Sequence, residues 1–395
     1  MNNLSHSKSR LNLTGFILVF AFGLGFTISC KKINIDKEDL RDFQQVNLVA
    51  NSGAWSPVLT DPTLLNAWGL AWSPGGIAWV NSQTGHVSEL YSGEGVMIRP
   101  GVNIPSPTEA TGGTPTGIVF AGGAGFKLAN GQPAAFLFVG DDGVVSGWNG
   151  PAGNNALRIA DNSAWASYFG LALTTWNGSH FLYAADFKTG KIEVWDTTFT
   201  VVNMPFTDPF LPAQYSPFNI QAVNIPSVGP LLFVMYAKVG PEGDEIHQVG
   251  LGLVDIYKPD GSFVKRFATG GTLNSPWGVT ITPANFLEDN DMDDNNGNNG
   301  NKDNNGMGKN NSNHDRDQQP VILVSNFGDG RINVFTLDGH FQGQLRDKNH
   351  TIEIDGLWAI GFAPTTATTI DPLRLYFTAG PEDETEGLFG YLLKK

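Results

Sequence analysis

The chain has 395 residues, with 24 Lys and Arg against 38 Asp and Glu, for a formal charge of −14. Such a surface repels phosphate backbones, which argues against nucleic-acid binding through a basic patch. Glycine (48) and proline (23) make up about 18% of residues, against roughly 12% in an average protein, and charged residues only 16%. Many turns, few charges and abundant aromatics point to an all-β protein, not to helices or disorder.

The chain opens with a polar, basic stretch carrying Lys8 and Arg10, then an almost unbroken apolar run, Leu11–Ile28, then Ser29-Cys30. This pattern reads as a lipoprotein-type signal peptide over residues 1–29, with Cys30 as the lipid-attached first mature residue. Thr27 departs from it, because Leu is usual there. The alternative is an uncleaved transmembrane anchor, for which 18 residues is just long enough. Removing the leader leaves −16 on the mature chain, and Cys30, the only cysteine, has no disulfide partner. Residues 30–43 then form a charged tether. The expected location is the bacterial cell envelope, lipid-anchored and facing the periplasm or the cell surface.

Beyond the tether, Gln44–Asn51 reads as a short strand, and a repeat begins. Each unit opens with an aromatic or Thr, a small residue and an aliphatic: Trp68-Gly69-Leu70, Thr116-Gly117-Ile118, Phe169-Gly170-Leu171, Phe218-Asn219-Ile220, Trp277-Gly278-Val279 and Trp358-Ala359-Ile360. The small residues are separated by 48, 53, 49, 59 and 81 positions, the last interval holding an Asn/Asp-rich insert over 287–319 that is expected to be disordered. These periods suit propeller blades. A second strand follows in each unit (Ile77–Asn81, Ala135–Gly140, Phe181–Asp186, Leu231–Ala237, Val321–Asn326, Leu375–Ala379), then a turn and a third (Val87–Tyr91, Val144–Trp148, Lys191–Trp195, Leu253–Tyr257, Arg331–Phe335, Leu388–Leu392). A weaker outer strand ends most units, and the sixth runs out before its own. The expectation is one six-bladed β-propeller over 44–395, with four-stranded antiparallel blades and the N-terminal strand Gln44–Asn51 closing the ring.

The small slot is explained by crowding of the inner strands around a narrow channel, and the aromatic beside it by packing between blades. Asn81-x-x-x-Gly85, Asp186-x-x-x-Gly190 and Asn326-x-x-x-Gly330 close second strands, with Asp141-Asp142-Gly143 as a shortened version. Here Asn or Asp is expected to bond the turn and Gly to supply positive φ. These hairpins are expected part-way out on each blade, away from any site. The acidic run Glu382, Asp383, Glu384 and Glu386 in the last hairpin reads as a solvated loop.

Catalytic signatures are missing: no G-x-S-x-G, H-E-x-x-H, P-loop or G-x-G-x-x-G occurs. The seven histidines are scattered singly. Asp289, Asp291 and Asp293 start like a calcium loop, but Asp294 replaces its Gly and Gly300 its bidentate Glu. Where inner strands begin, Asn66, Asn219, Asn274 and Asp355 are the candidates to converge at the channel mouth; such a ring of oxygens suits Ca²⁺. No other cofactor is expected.

The segments NLVAN (47–51), NAWGLAWSP (66–74), DGVVSGWN (142–149), LYAADFKTGKIEVWD (182–196), SPWGVTITPANF (275–286), SNFGDGRINVF (325–335), DGLWAIGF (355–362) and LYFTAGPEDETEGLFG (375–390) resemble a family of uncharacterised bacterial exported proteins, some ending in a PEP-CTERM signal. The resemblance spans roughly 44–393 and implies export and a six-bladed, TolB-like or NHL-like propeller. It implies no established activity. This chain departs from it in lacking the PEP-CTERM tail and in carrying the Cys30 signal. The expected function is a lipid-anchored binding or scaffold module for a glycan, peptide or protein. The alternative is a metal-dependent hydrolase or lactonase with its site at the channel mouth.

Overall fold

The computed structural model describes residues 35–288 and 319–395. The leader, Cys30 and most of the Asn/Asp-rich insert lie outside them. The ring has six blades, read from the axis outward. Blade I comprises Ala67–Trp72, Ala78–Ser82, Val87–Tyr91 and Met97–Asn103. Blade II comprises Pro115–Phe120, Phe136–Gly140, Val144–Trp148 and Leu157–Asp161. Blade III holds Tyr168–Trp176, Ser179–Asp186 and Lys191–Trp195, and blade IV Tyr215–Ile225, Gly229–Lys238, Gly252–Tyr257 and Phe263–Thr269. Blade V holds Pro276–Ile281, Ile322–Asn326, Ile332–Phe335 and Phe341–Gln344. Blade VI takes Leu357–Gly361, Leu375–Ala379 and Leu388–Lys394 from the C-terminal end of the chain.

The outer strand of blade VI is Phe43–Ala50, antiparallel to Leu388–Lys394 with Phe43 opposite Lys394 and Ala50 opposite Leu388. The predicted closure therefore forms, starting one residue earlier than expected. Leu59–Thr60 adds a short parallel strand beyond it. The tether's end also docks: Leu40 is buried, its carbonyl accepts the Arg346 amide, and Phe43 N–H bonds Arg346 O. At the insert, Phe286 and Leu287 are both in the core, so the described body extends past the expected boundary at 287.

Blade III differs from the four-stranded plan. Its outer strand is reduced to the bridge between Trp195 and Val201, with Val202 N–H on Val194 O. The chain is left-handed at Phe199 before that bridge and at Phe206 after it, and it packs Met204 and Phe206 against the outer turn of blade IV at Gly261. Pro205 lacks the N–H that a ladder strand would use.

Alternating apolar residues build a separate core at each blade junction. Phe138 and Trp79 join blades I and II, Val139 and Leu171 blades II and III, Tyr183 and Leu232 blades III and IV. Phe233 and Val324 join IV and V, Leu323 and Phe377 V and VI, and Tyr376 and Val80 close VI onto I. Side-chain bonds tie inner strands together at five of the six junctions. Asn81 donates to Thr116 O (3.0 Å), Thr116 to Tyr168 O (2.6 Å), Asn219 to Trp277 O (2.8 Å), Ser325 to Trp358 O (2.8 Å) and Thr378 to Trp68 O.

The repeat's small slot is as crowded as expected. A Cβ on Gly170 would sit 1.8 Å from Asn219 Oδ1 of the next blade. The slot aromatics do something other than expected: they converge on the axis instead of filling space between blades. Trp68 stacks on Trp358 at 3.7 Å, Phe327 stacks on Trp358 at 3.7 Å, and Phe169, Phe218 and Trp277 approach within 5.5–5.8 Å of this pair. The channel is thus plugged.

Candidate functional site

Because the plug closes the axis, two separate mouths remain. At the far ends of the inner strands lies a 240 Å³ pocket between Leu70, Trp72, Gln221, Val279, Ile360 and Phe362. Over the starts of the inner strands lies a larger cup of 470 Å³. His247, Phe327–Gly330, Glu353, Asp355, Gly356, Gly380, Asp383 and Glu384 form its wall. Hairpins between second and third strands reach this mouth in blades IV, V and VI. That corrects the expectation that they sit part-way out: they leave the sheet on the face where inner strands begin and fold inward over the plug.

The acidic hairpin is solvated at Glu382, Asp383 and Thr385, as expected, but Glu384 and Glu386 are half-buried. Glu382, Asp383 and Glu384 adopt left-handed backbone with φ of 53, 52 and 64°. Glu382 N–H donates to Asp355 Oδ2 (2.9 Å), and Glu384 N–H to Gly380 O (3.2 Å). Gly380 must be glycine, since a Cβ would sit 2.1 Å from Asn66 Oδ1. The turn carries Glu384 inward, where Asn66 Nδ2 donates to its Oε2 at 2.6 Å. Asn66 is itself fully enclosed: Trp358 Nε1 donates to its Oδ1 (2.9 Å), and its Nδ2 also reaches Gln83 Oε1 (3.2 Å). Gln83 in turn donates to Asp141 Oδ2 (2.8 Å). The entry to the inner strand is left-handed at Asn66, at Ser275 and at Gly356, each two residues before its Trp, a conformation Asn tolerates better than most residues.

Burial is the main cause that pushes the Glu384 carboxyl up to about 7; the Asn66 bond opposes it, Glu245 and Asp141 reinforce it, and His247 opposes it. His247 bonds Glu245 Oε1 (3.1 Å), which raises its imidazole, and its ring stands edge-on to Phe327 at 5.0 Å. A carboxyl raised to about 7 and an imidazole raised above its ordinary value therefore share one mouth. Burial also raises Asp141.

Of the four predicted ring residues, Asp355 lines the cup and Asn66 reaches it through Glu384. Asn219 is committed to its own neighbourhood: Oδ1 accepts Ile220 N–H (2.7 Å) and Nδ2 bonds Trp277 O. Asn274 lies behind the wall, its Oδ1 buried without a partner against Gly328. Among the described residues, no group of three or more His, Cys, Asp or Glu side chains is arranged to hold a metal ion. The repeated turn device holds for Asp186, whose Oδ1 accepts Thr189 N–H (3.2 Å), with positive φ at Gly143, Gly190 and Gly330. It fails at Asn81, which bonds the next blade, and at Gly85, whose left-handed role passes to His86.

Sequence reading missed Glu384, His247, Glu245 and Asp141 as a set. The available signal was topological: hairpins leaving second strands share a face with the residues entering inner strands, so Glu384 and Asp355 belong to one mouth.

No protein-family model matches the chain. Two uncharacterised proteins of Acanthamoeba polyphaga mimivirus are each 29% identical to it. One aligns over 367 residues, 89% of this chain and 80% of its own, and the other over 355 residues, 85% and 81%. Among solved structures, a streptogramin B lyase superposes with a TM-score of 0.45 at 12% identity, covering 89% of this chain and 97% of that one. A gluconolactonase from Xanthomonas campestris gives 0.45 at 13%, covering 84% and 86%. Identities and scores this low bring no function to the present chain.

Proposed function

We propose that this chain is an exported, lipid-anchored propeller that binds a polar group of a glycan, peptide or protein in the cup over its plugged axis. The cup carries the reading: 470 Å³ walled by carboxylates, with Glu384 held inward by a buried Asn66. Ligand sites are concavities with a few fixed polar groups. The test is a melting screen of oligosaccharides and peptides against the wild type and Glu353→Trp, which fills the cup from an exposed position. At least one ligand class should raise the melting temperature of the wild type alone. No shift from any class, or shifts that survive the filled cup, would remove the proposal.

Export and anchoring rest on the leader pattern, Cys30 and the resemblance to exported bacterial proteins. Cys30→Ser should move the protein out of membrane fractions, and continued retention would favour an uncleaved helix. Among the described residues no helix is long and apolar enough to span a membrane.

A second reading, a hydrolase or lactonase working at the cup, is favoured by one observation: a carboxyl and an imidazole, Glu384 and His247, both line the same cavity, each raised above its ordinary pKa. The residues do not fit the Ca²⁺-dependent form of that reading as they stand. Asn66 and Asn219 would have to leave their present partners to reach a common ion. Melting with and without EDTA checks it, since a bound ion would make the two differ.

A further inference from the structure

We propose that the segment closing the ring is latched to blade I by one proton held between Glu89 and Thr63, and that rising pH releases the latch. From Phe43–Ala50 the chain runs through Leu59–Thr60 towards Leu64, and Asp61 N–H bonds Ala50 O (2.8 Å) on the way. Glu89 stands on the third strand of blade I, and only 3% of it and 4% of Asp61 are exposed. Thr63 Oγ1 lies between the two carboxyls, 2.6 Å from Asp61 Oδ1 and 2.7 Å from Glu89 Oε1. A hydroxyl carries one hydrogen, so Thr63 donates along one of these contacts only. The other contact needs a second proton, and a carboxyl must carry it.

The surroundings select Glu89. Asp61 already takes the Tyr91 hydroxyl on Oδ2 (2.7 Å) and the Thr63 amide on Oδ1 (3.1 Å), so the Thr63 hydroxyl is its third donor and Asp61 is the anion. Glu89 has Thr63 alone, and its Oε2 is buried without a hydrogen-bond partner. Gly101 of the outer strand is pressed against that oxygen: a Cβ there would sit 2.7 Å away. A bare oxygen costs far less on a neutral carboxyl than on a carboxylate. The charged group acting on Glu89 is Asp61, of like sign. Val80 opposite it is apolar, Arg99 of the outer strand turns away to Asn154, and Arg374 of blade VI to Glu94. Burial raises the Glu89 carboxyl; the Thr63 bond opposes the rise and Asp61 reinforces it. The latch therefore stabilises the closure fully below the ordinary carboxylate range and is lost as pH climbs through the raised value. Ionised, Glu89 and Asp61 face each other across a single hydroxyl.

The test is hydrogen exchange of the full chain, read by mass spectrometry at pH 5 and 9 and corrected for the intrinsic exchange rate. Glu384, raised by burial beside Asn66, also titrates in this window, so the measurement is made in a Glu384→Gln chain. Protection of peptides over 43–64 should fall about tenfold or more at pH 9, the factor that one pH unit carries in a titration, relative to blade V peptides over 322–335. Adding Glu89→Gln, whose amide can donate to Thr63 Oγ1 at either pH, should hold that protection constant. Equal protection of 43–64 at both pH values, a fall that Glu89→Gln leaves in place, or a matching fall in blade V would overturn the inference. Should Glu89→Gln fail to fold, the pH comparison in the Glu384→Gln chain decides alone.

Discussion

Glu384 sits in the fold at a thermodynamic cost that can be measured directly. Its carboxyl ordinarily titrates at 4.5 and is pushed to about 7 in the cup. A raised carboxyl favours the folded state fully only below pH 4.5, and that advantage disappears as pH climbs through 7. Each pH unit is worth about 1.4 kcal/mol, so an ionised Glu384 costs the fold about 3 kcal/mol above neutrality. Glu384→Gln removes the charge yet keeps an oxygen for Asn66 Nδ2. With an unfolding entropy of roughly 2 cal/mol/K per residue, the variant should melt about 4 °C above the wild type at pH 8. At pH 4 the two should coincide within about a degree, since both side chains are then neutral in either state. Differential scanning calorimetry at the two pH values decides it. A gap independent of pH, or a variant less stable than wild type at pH 8, would mean that Glu384 is neither buried nor crowded by Glu245 and Asp141 as described.

The half-buried Arg266 bridges Asp255 on its neighbouring strand and Asp208 on the segment entering blade IV, and both carboxylates are fully enclosed. Arg266→Met should cost about 3–5 kcal/mol at neutral pH, as expected for stranded buried charges. Because Asp255 titrates at about 6, pushed there by burial, the deficit should shrink as Asp255 takes a proton below that pH; denaturant titrations at pH 5 and 8 check both points. Gly170→Ala drives a Cβ to 1.8 Å from Asn219 Oδ1 and should cost about 1–3 kcal/mol. In an Asn219→Gly background the same change should cost less but not nothing, because the Cα of residue 219 still stands 2.8 Å from the added Cβ, and a double-mutant cycle reads the side-chain share of the clash.

The ring was legible because its signals are local and repeated. Gly69, Gly117, Gly170 and Gly278 mark inner strands by their period, and the missing strand after Leu392 could only be found at the other end of the chain. Even Thr116, the exception among the slot aromatics, is accounted for: it bonds Tyr168 O instead of joining the plug. The convergence of Trp68 and Trp358 was less accessible. A slot residue can point along the axis or sideways between blades, and the period does not distinguish the two. The cup was less accessible still. His247, Asp355 and Glu384 come from the loop after blade IV's second strand, the loop before blade VI and a blade VI hairpin, and nothing in their spacing relates them. Only the rule that such hairpins and inner-strand entries share a face could have connected them. Within Glu382–Glu386, Glu382, Asp383 and Thr385 are solvated as their polarity suggests, and only that rule would have singled out Glu384.

The conformation of that run argues that its placement is specific. A left-handed residue with a Cβ costs roughly 1–2 kcal/mol, and three stand in succession at Glu382, Asp383 and Glu384. A loop needed only to join two strands would relax from this state, or carry glycine. Here the surroundings hold it: Pro381 is buried, Asp355 takes the Glu382 amide, Gly380 takes the Glu384 amide, and Asn66 takes the carboxylate. Strain that persists because its neighbours over-determine it is characteristic of ligand clamps. The plug contributes too, since Trp358 carries the load from below by donating to Asn66 Oδ1 and stacking on Trp68 and Phe327. The aromatic column that closes the channel is therefore also the floor that fixes Glu384 in the cup, which ties the fold's repeat to its candidate site through Asn66 and through Phe327, shared by the plug and the wall.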